Sequence, residues 1–163
     1  MSTICILSDT HDNTDVTKRA VEQIRDVAPS LVIHCGDFTT PDTLKLFSGL
    51  PLKAVFGNGD WDTQGLLEAC SENGLDPIEH TQECTIEGKR LFFAHGDRPN
   101  VLLHAIASQS FDYIFHGHTH VHADYLEGHT RIINPGALYR AERYTFVMIN
   151  LKTDIVELFE ISQ

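Results

Sequence analysis

Five short segments of this chain hold residue types that bind metal ions: Asp9-Thr10-His11, Gly36-Asp37, Gly57-Asn58-Gly59-Asp60, His95-Gly96 and Gly117-His118-Thr119-His120. Their donors are carboxylate and amide oxygens and imidazole nitrogens, with no thiolate. That set suits manganese, iron, zinc, cobalt or nickel better than magnesium or calcium, which favour all-oxygen shells. Asp9, His11, Asp37, Asn58, His95, His118 and His120 together exceed what one structural zinc uses. Two ions sharing a carboxylate is the economical reading. Each segment directly follows an apolar run, where a strand should end, and in open α/β sheets sites form beyond the carboxyl ends of strands. The single-residue gaps in Asp9-Thr10-His11 and His118-Thr119-His120 would put both side chains on one side of an extended backbone.

The elements that must carry these residues are legible as well. Ile4 to Ser8 reads as a buried strand, followed by a helix with Val16, Ala20, Ile24 and Val27 at helical spacing. Leu31 to Ile33 and Leu52 to Phe56 are further strands. Helices are expected from Pro41 and over Gln64 to Glu72, the latter closed by Gly74. This alternation implies right-handed crossovers and a parallel sheet. The second half is richer in hairpins: Cys84 to Ile86 with Leu91 to Ala94, His122 to Leu126 with Arg131 to Ile133, and Tyr144 to Asn150 with Ile155 to Phe159. A short helix from Pro99 to Ile106 and a strand at Tyr113 to Phe115 lie between. One α/β domain over residues 1–163 is expected, its two sheets face to face and flanked by helices.

In order along the chain, these motifs resemble the calcineurin-like metallophosphoesterase superfamily, and most of all its small single-domain phosphodiesterase branch, which also includes the retromer scaffold subunit. The similarity runs from Asp9 to Asn134-Pro135-Gly136. It implies a four-layer α-β-β-α sandwich. It also implies one ion on Asp9, His11, Asp37 and His120, and a second on Asp37, Asn58, His95 and His118, with Asp37 between them. Manganese is the first candidate. The implied reaction is attack of a metal-bridging hydroxide on the phosphorus of a small diester, with Asp37, Asn58 and His95 as the catalytic residues. Many relatives carry a leaving-group histidine where this chain has Gly59, which has no side-chain proton to give. The expectation is a preference for esters with good leaving groups, or protonation through metal-bound water.

The remaining residues bound the function. Net charge is −11 with no Lys/Arg cluster, which argues against a nuclease and against nucleic acid as partner. No run is long and apolar enough to span a membrane. The start shows no basic leader, so a cytoplasmic protein is expected, with a homo-oligomer left open. Cys5, Cys35, Cys70 and Cys84 have no metal-site spacing and read as packing residues. Asp60, Asp62 and Thr63 are plausible caps of the following helix. Trp61 is expected to be half-buried. His34 and His116 are strand histidines that could support a ligand, while His80, His104 and His129 lack motif context. The retained donors favour a phosphoesterase; a non-catalytic protein-binding scaffold on the same fold is the alternative, and an exposed apolar patch would speak for it.

Overall fold

In the computed structural model, residues 3–162 are described; Met1, Ser2 and Gln163 lie outside them. The first sheet grows from β1 (Thr3–Leu7), β2 (Leu31–His34) and β3 (Leu52–Ala54), which pair in parallel. Their crossovers are α1 (Thr14–Val27) and α2 (Pro41–Lys45), and α3 (Thr63–Glu72) leads into the second sheet. Helix α1 forms because Val16, Ala20, Val21 and Ile24 make one apolar stripe, and Ala28 in the left-handed region closes it. Asp62 caps α3 by accepting the Gly65 amide at 3.0 Å.

The second sheet contains β4 (Thr81–Ile86), β5 (Lys89–Ala94), β6 (Tyr113–Phe115), β7 (Ala123–Glu127) and β8 (Thr130–Asn134), with α4 (Pro99–Ser108) linking β5 to β6. The last hairpin, β9 (Tyr144–Asn150) and β10 (Ile155–Ile161), returns to the first sheet. Strand orders are β10-β9-β1-β2-β3 and β4-β5-β6-β8-β7. The three expected hairpins form, but the second sheet is not simply hairpin-built: β5, β6 and β8 run parallel at its centre. The helical crossover α4 makes the first of these pairings possible, because it returns the chain to the same end of the sheet. The third strand stops at Ala54, and Val55 makes an isolated bridge to Glu79.

Strand alternation builds the layers. Ile4 and Ile6 face inward with Phe93, Phe115 and Ile133 in a core between the sheets. Cys5 and Leu7 point the other way, among Ala20, Ile24, Leu44 and Leu66 of the three N-terminal helices. Beyond the second sheet, Phe92, Ile114 and Ile132 pack beneath α4 with Ala105. The result is helices, sheet, sheet, helix: the four-layer sandwich.

Candidate metal centre

Asp9 follows β1, Asp37 follows β2, Asn58 follows β3, His95 follows β5, and His118 and His120 follow β6. The chain directions bring all of these loops to one end of the sandwich. Backbone hydrogen bonds then tie loop to loop: Asp9 N–H to Gly36 O (3.0 Å), His11 N–H to Asp37 O (2.9 Å) and Gly117 N–H to His95 O (2.8 Å).

Ligand atoms of five expected donors meet here in two overlapping groups, Asp9 with His11 and His120, and Asp9 with Asp37 and His95. Asp9 Oδ1 stands 3.3 Å from His120 Nε2 and 3.8 Å from His11 Nε2. Asp37 Oδ2 lies 3.1 Å from His11 Nε2 and 3.3 Å from His95 Nε2, so this carboxylate of the second group also reaches a histidine of the first, while Asp9 is common to both groups. Asn58 Oδ1 is 3.1 Å from His95 Nε2. The His118 ring stands edge-on to that of His95, centroids 5.1 Å apart, and its amide donates to Asp9 Oδ2 at 3.0 Å. Atoms about 2.1 Å from a common ion are spaced roughly 3.0–3.4 Å from one another, which matches the closest of these separations. Asp9 Oδ1 and His11 Nε2 are buried and, despite these close approaches, make no well-aligned hydrogen bond. Native proteins rarely leave such atoms unsatisfied, and a cation would satisfy both. The donor set therefore fits a metal centre.

Electrostatics agree. Burial opposes ionisation of Asp37, but the His11 and His95 rings beside it outweigh burial and hold the carboxyl far below its usual range. Asp9 is likewise held low against burial, by His120 and the charge of His95. The carboxylates are charged and ready for cations. His95 presents its Nδ1 to the Cys35 carbonyl at 2.7 Å, leaving Nε2 directed at Asp37 and Asn58.

The convergence does not come from extended backbone, as the one-residue gaps suggested. Asp9, His11, Asp37, His118 and His120 all adopt positive φ, between 40° and 69°. Left-handed turns, not strand alternation, aim these side chains. Such residues cost about 1–3 kcal/mol each and cluster at functional sites.

Asp60 and Trp61 depart from their expected roles, and other residues support the site. Asp60 is not a helix cap. It is buried and accepts the amides of Asp37 (2.9 Å), Thr39 (2.8 Å) and Gly57 (2.8 Å), binding the β2 and β3 loops together. Its position two residues after Asn58 was the signal available. Trp61 is 89% exposed rather than half-buried, and its indole donates to Asn58 O. Asn134 is fully buried; it donates to Gly117 O and Thr119 Oγ1 and accepts from Gly136 N–H, holding the double-histidine loop. Tyr139 packs its ring against His11. The four cysteines are unpaired, three of them buried.

His34 supports the centre from beneath. Its Nδ1 accepts the Gly36 amide, its Nε2 meets Thr10 Oγ1, and its ring stacks on Phe38. Burial pushes this imidazole down to about 3. An unfolded histidine titrates near pH 6.5. Between pH 6.5 and 3 the unfolded chain therefore takes up a proton that the folded protein refuses. The stability involved is whole above 6.5 and is lost as pH falls, by about 1.4 kcal/mol per unit. Between pH 7 and pH 5 the wild type should thus lose about 2 kcal/mol that a His34→Gln variant keeps. Urea unfolding at both pH values measures this; equal losses in the two proteins would remove His34 as the cause.

Comparison with known proteins gives the family. Residues 2–154 match the calcineurin-like phosphoesterase superfamily domain. The chain belongs to that superfamily. Among its members, phosphodiesterase MJ0936 of Methanocaldococcus jannaschii is 34% identical over 136 residues, 82% of each chain. A solved archaeal phosphodiesterase superposes with a TM-score of 0.90 at 29% identity, over 98% of this chain and 99% of that one. Vps29 of Entamoeba histolytica, solved with zinc, shares the fold alone: TM-score 0.70 at 14% identity, over 98% of each chain. Calcineurin-like phosphoesterases are metal-dependent hydrolases, and the two clusters here are where this one could hold metal. None of its helices, among the described residues, is long and apolar enough to cross a membrane.

Proposed function

We propose that this chain is a binuclear metal-dependent phosphodiesterase acting on small diesters. The observation that carries the reading is the pair of overlapping donor groups around two ionised, buried carboxylates, with Asp9 Oδ1 and His11 Nε2 left for a cation to satisfy. Asp9, His11, Asp37 and His120 would hold one ion; Asp37, Asn58, His95 and His118 would hold the other, with manganese first among iron, zinc, cobalt and nickel. Bound divalent ions supply an acidified water nucleophile and positive charge for the phosphoryl oxygens. The protein's part is to fix the geometry. Asp60 and Asn134 lock the loops, the Cys35 carbonyl sets the His95 tautomer, and Gly59 N–H fixes Asp37 Oδ1 at 2.6 Å. The likeness to a phosphodiesterase at 34% identity supports a diester substrate. The net charge of −11 disfavours long polynucleotides, whose backbones demand many cationic contacts. Four unpaired cysteines suit a reducing, cytoplasmic setting.

The scaffold alternative has one observation in its favour. Leu103 of α4 and Tyr125 of β7 are exposed around one groove on the outer face of the second sheet. Such a surface could seat another protein or a second copy of this chain.

The test is hydrolysis of bis-p-nitrophenyl phosphate, p-nitrophenyl phosphate and single-stranded DNA by chelator-stripped protein, with and without added manganese. Manganese-dependent turnover of the diester, exceeding that of the other two, is expected. No turnover with any transition metal would leave the scaffold reading.

A further inference from the structure

The Gly59 position leaves open where a leaving-group proton would come from, and the cavity beside Asn58 and His95 offers a donor. This cavity, about 100 Å³, is bounded by Phe56, Asn58, His80, His95, Asp97 and Arg98. Arg98 is a permanent cation, unable to act as an acid at neutral pH. Its Nε lies 4.0 Å from the Asp97 carboxylate, engaging both groups. His80 is different. It makes no hydrogen bond or ion pair among the described residues, and the aromatic ring beside it is that of Phe56, centroids 5.7 Å apart.

The backbone fixes His80 where a donor is needed. Glu79 bridges Val55 and accepts the Phe56 amide at 2.7 Å, so the residue after it is held beside the loop bearing Asn58. From the other direction, β4 pairs antiparallel with β5 through Thr81 opposite Ala94. His80 directly precedes Thr81 and His95 directly follows Ala94, so both histidines lie just beyond the same end of that ladder. Two independent pairings thus place a free imidazole across a small cavity from the expected ligands, although His80 has no motif context in the sequence.

We infer that His80 is the general acid of this phosphoesterase, doing from the position just before β4 what a side chain at position 59 cannot. The inference rests on the phosphodiesterase reading above and extends it to substrate class: diesters of unactivated alcohols, whose alkoxides need a proton to depart. As water adds to phosphorus and the P–O bond to the alcohol breaks, the His80 imidazolium transfers its N–H proton to the departing oxygen. The proton shed by the attacking water goes to solvent, from which the imidazole is recharged, so the step balances. The cavity's size suits a small alcohol.

The experiment compares manganese-loaded wild type with His80→Gln and His80→Ala on two diesters, p-nitrophenyl methyl phosphate and phenyl methyl phosphate. Metal content and melting temperature are recorded for each protein. Wild type should show little dependence on the leaving phenol. His80→Gln should lose about 10²-fold or more on the phenyl ester and less than tenfold on the p-nitrophenyl ester. Imidazole in the buffer should restore part of the phenyl-ester rate of His80→Ala, and all three proteins should bind equal metal. Equal losses on both esters, loss of metal in His80→Gln, or a wild type already unable to cleave the phenyl ester would each overturn the assignment while leaving the phosphodiesterase reading standing. Failure of wild type on both esters would overturn the two together.

Discussion

Replacing Asp37 by asparagine is expected to lower diester hydrolysis at least about 10²–10³-fold and to leave the purified protein with fewer than two bound ions. Asparagine keeps the size of the side chain, so this is a test of charge. Asp37 Oδ2 lies within 3.3 Å of both His11 Nε2 and His95 Nε2, the position from which one carboxylate can serve two cations. Its other oxygen is fixed by Gly59 N–H, so the carboxylate is aimed before any ion arrives. Altering a group behind a metal ligand typically costs 10–100-fold; removing the shared charge should cost more. Metal counting by inductively coupled plasma mass spectrometry and kcat for bis-p-nitrophenyl phosphate measure both effects. Two ions per chain with undiminished kcat would mean that Asp37 bridges nothing.

Gly57→Ala should be as damaging for a steric reason. A Cβ on Gly57 would lie inside the contact distance of Asp37 Oδ1, 2.6 Å from the Asp37 amide nitrogen and 2.7 Å from its Cγ. Asp60 accepts the Asp37 amide and Gly59 N–H donates to the Asp37 carboxylate, so neither group can swing clear without breaking a hydrogen bond. Overpacking of this kind costs about 1–3 kcal/mol, a fall of roughly 2–12 °C in Tm for a chain of this size. Displacing Asp37 should also cut hydrolysis about 10²-fold. Thermal unfolding and kcat on one preparation test the pair of effects. A variant with wild-type Tm and wild-type rate would show that the loop yields more easily than its hydrogen bonds suggest.

These two positions also show how differently the parts of the site could be read. Asp37 is visible in the sequence because its chemistry and its place after an apolar run coincide. Gly57 is visible only as a glycine, and the contact that excludes a methyl group is made by a residue twenty positions earlier. Asp60 was read as a helix cap because local sequence offers Asp that role before any other. In the fold Asp62 takes the cap, and Asp60 turns inward to three amides. His80 had no motif around it, since its neighbours across the cavity come from two other strands.

What this sequence by itself determined is the donor inventory, the strand-then-ligand order and the alternating apolar pattern that builds four layers. Each depends on residue type or on a period of a few residues. Only the tertiary structure decided the aim of the donors, the parallel centre of the second sheet and the return of the last hairpin beside β1. Asp and His tolerate the left-handed turns found at Asp9, His11, Asp37, His118 and His120 better than most residues, but that tolerance alone does not fix them. They are sustained by hydrogen bonds between loops far apart in the chain, such as Asp9 to Gly36 and Gly117 to His95. Those bonds exist only once the sheets have brought the loops together.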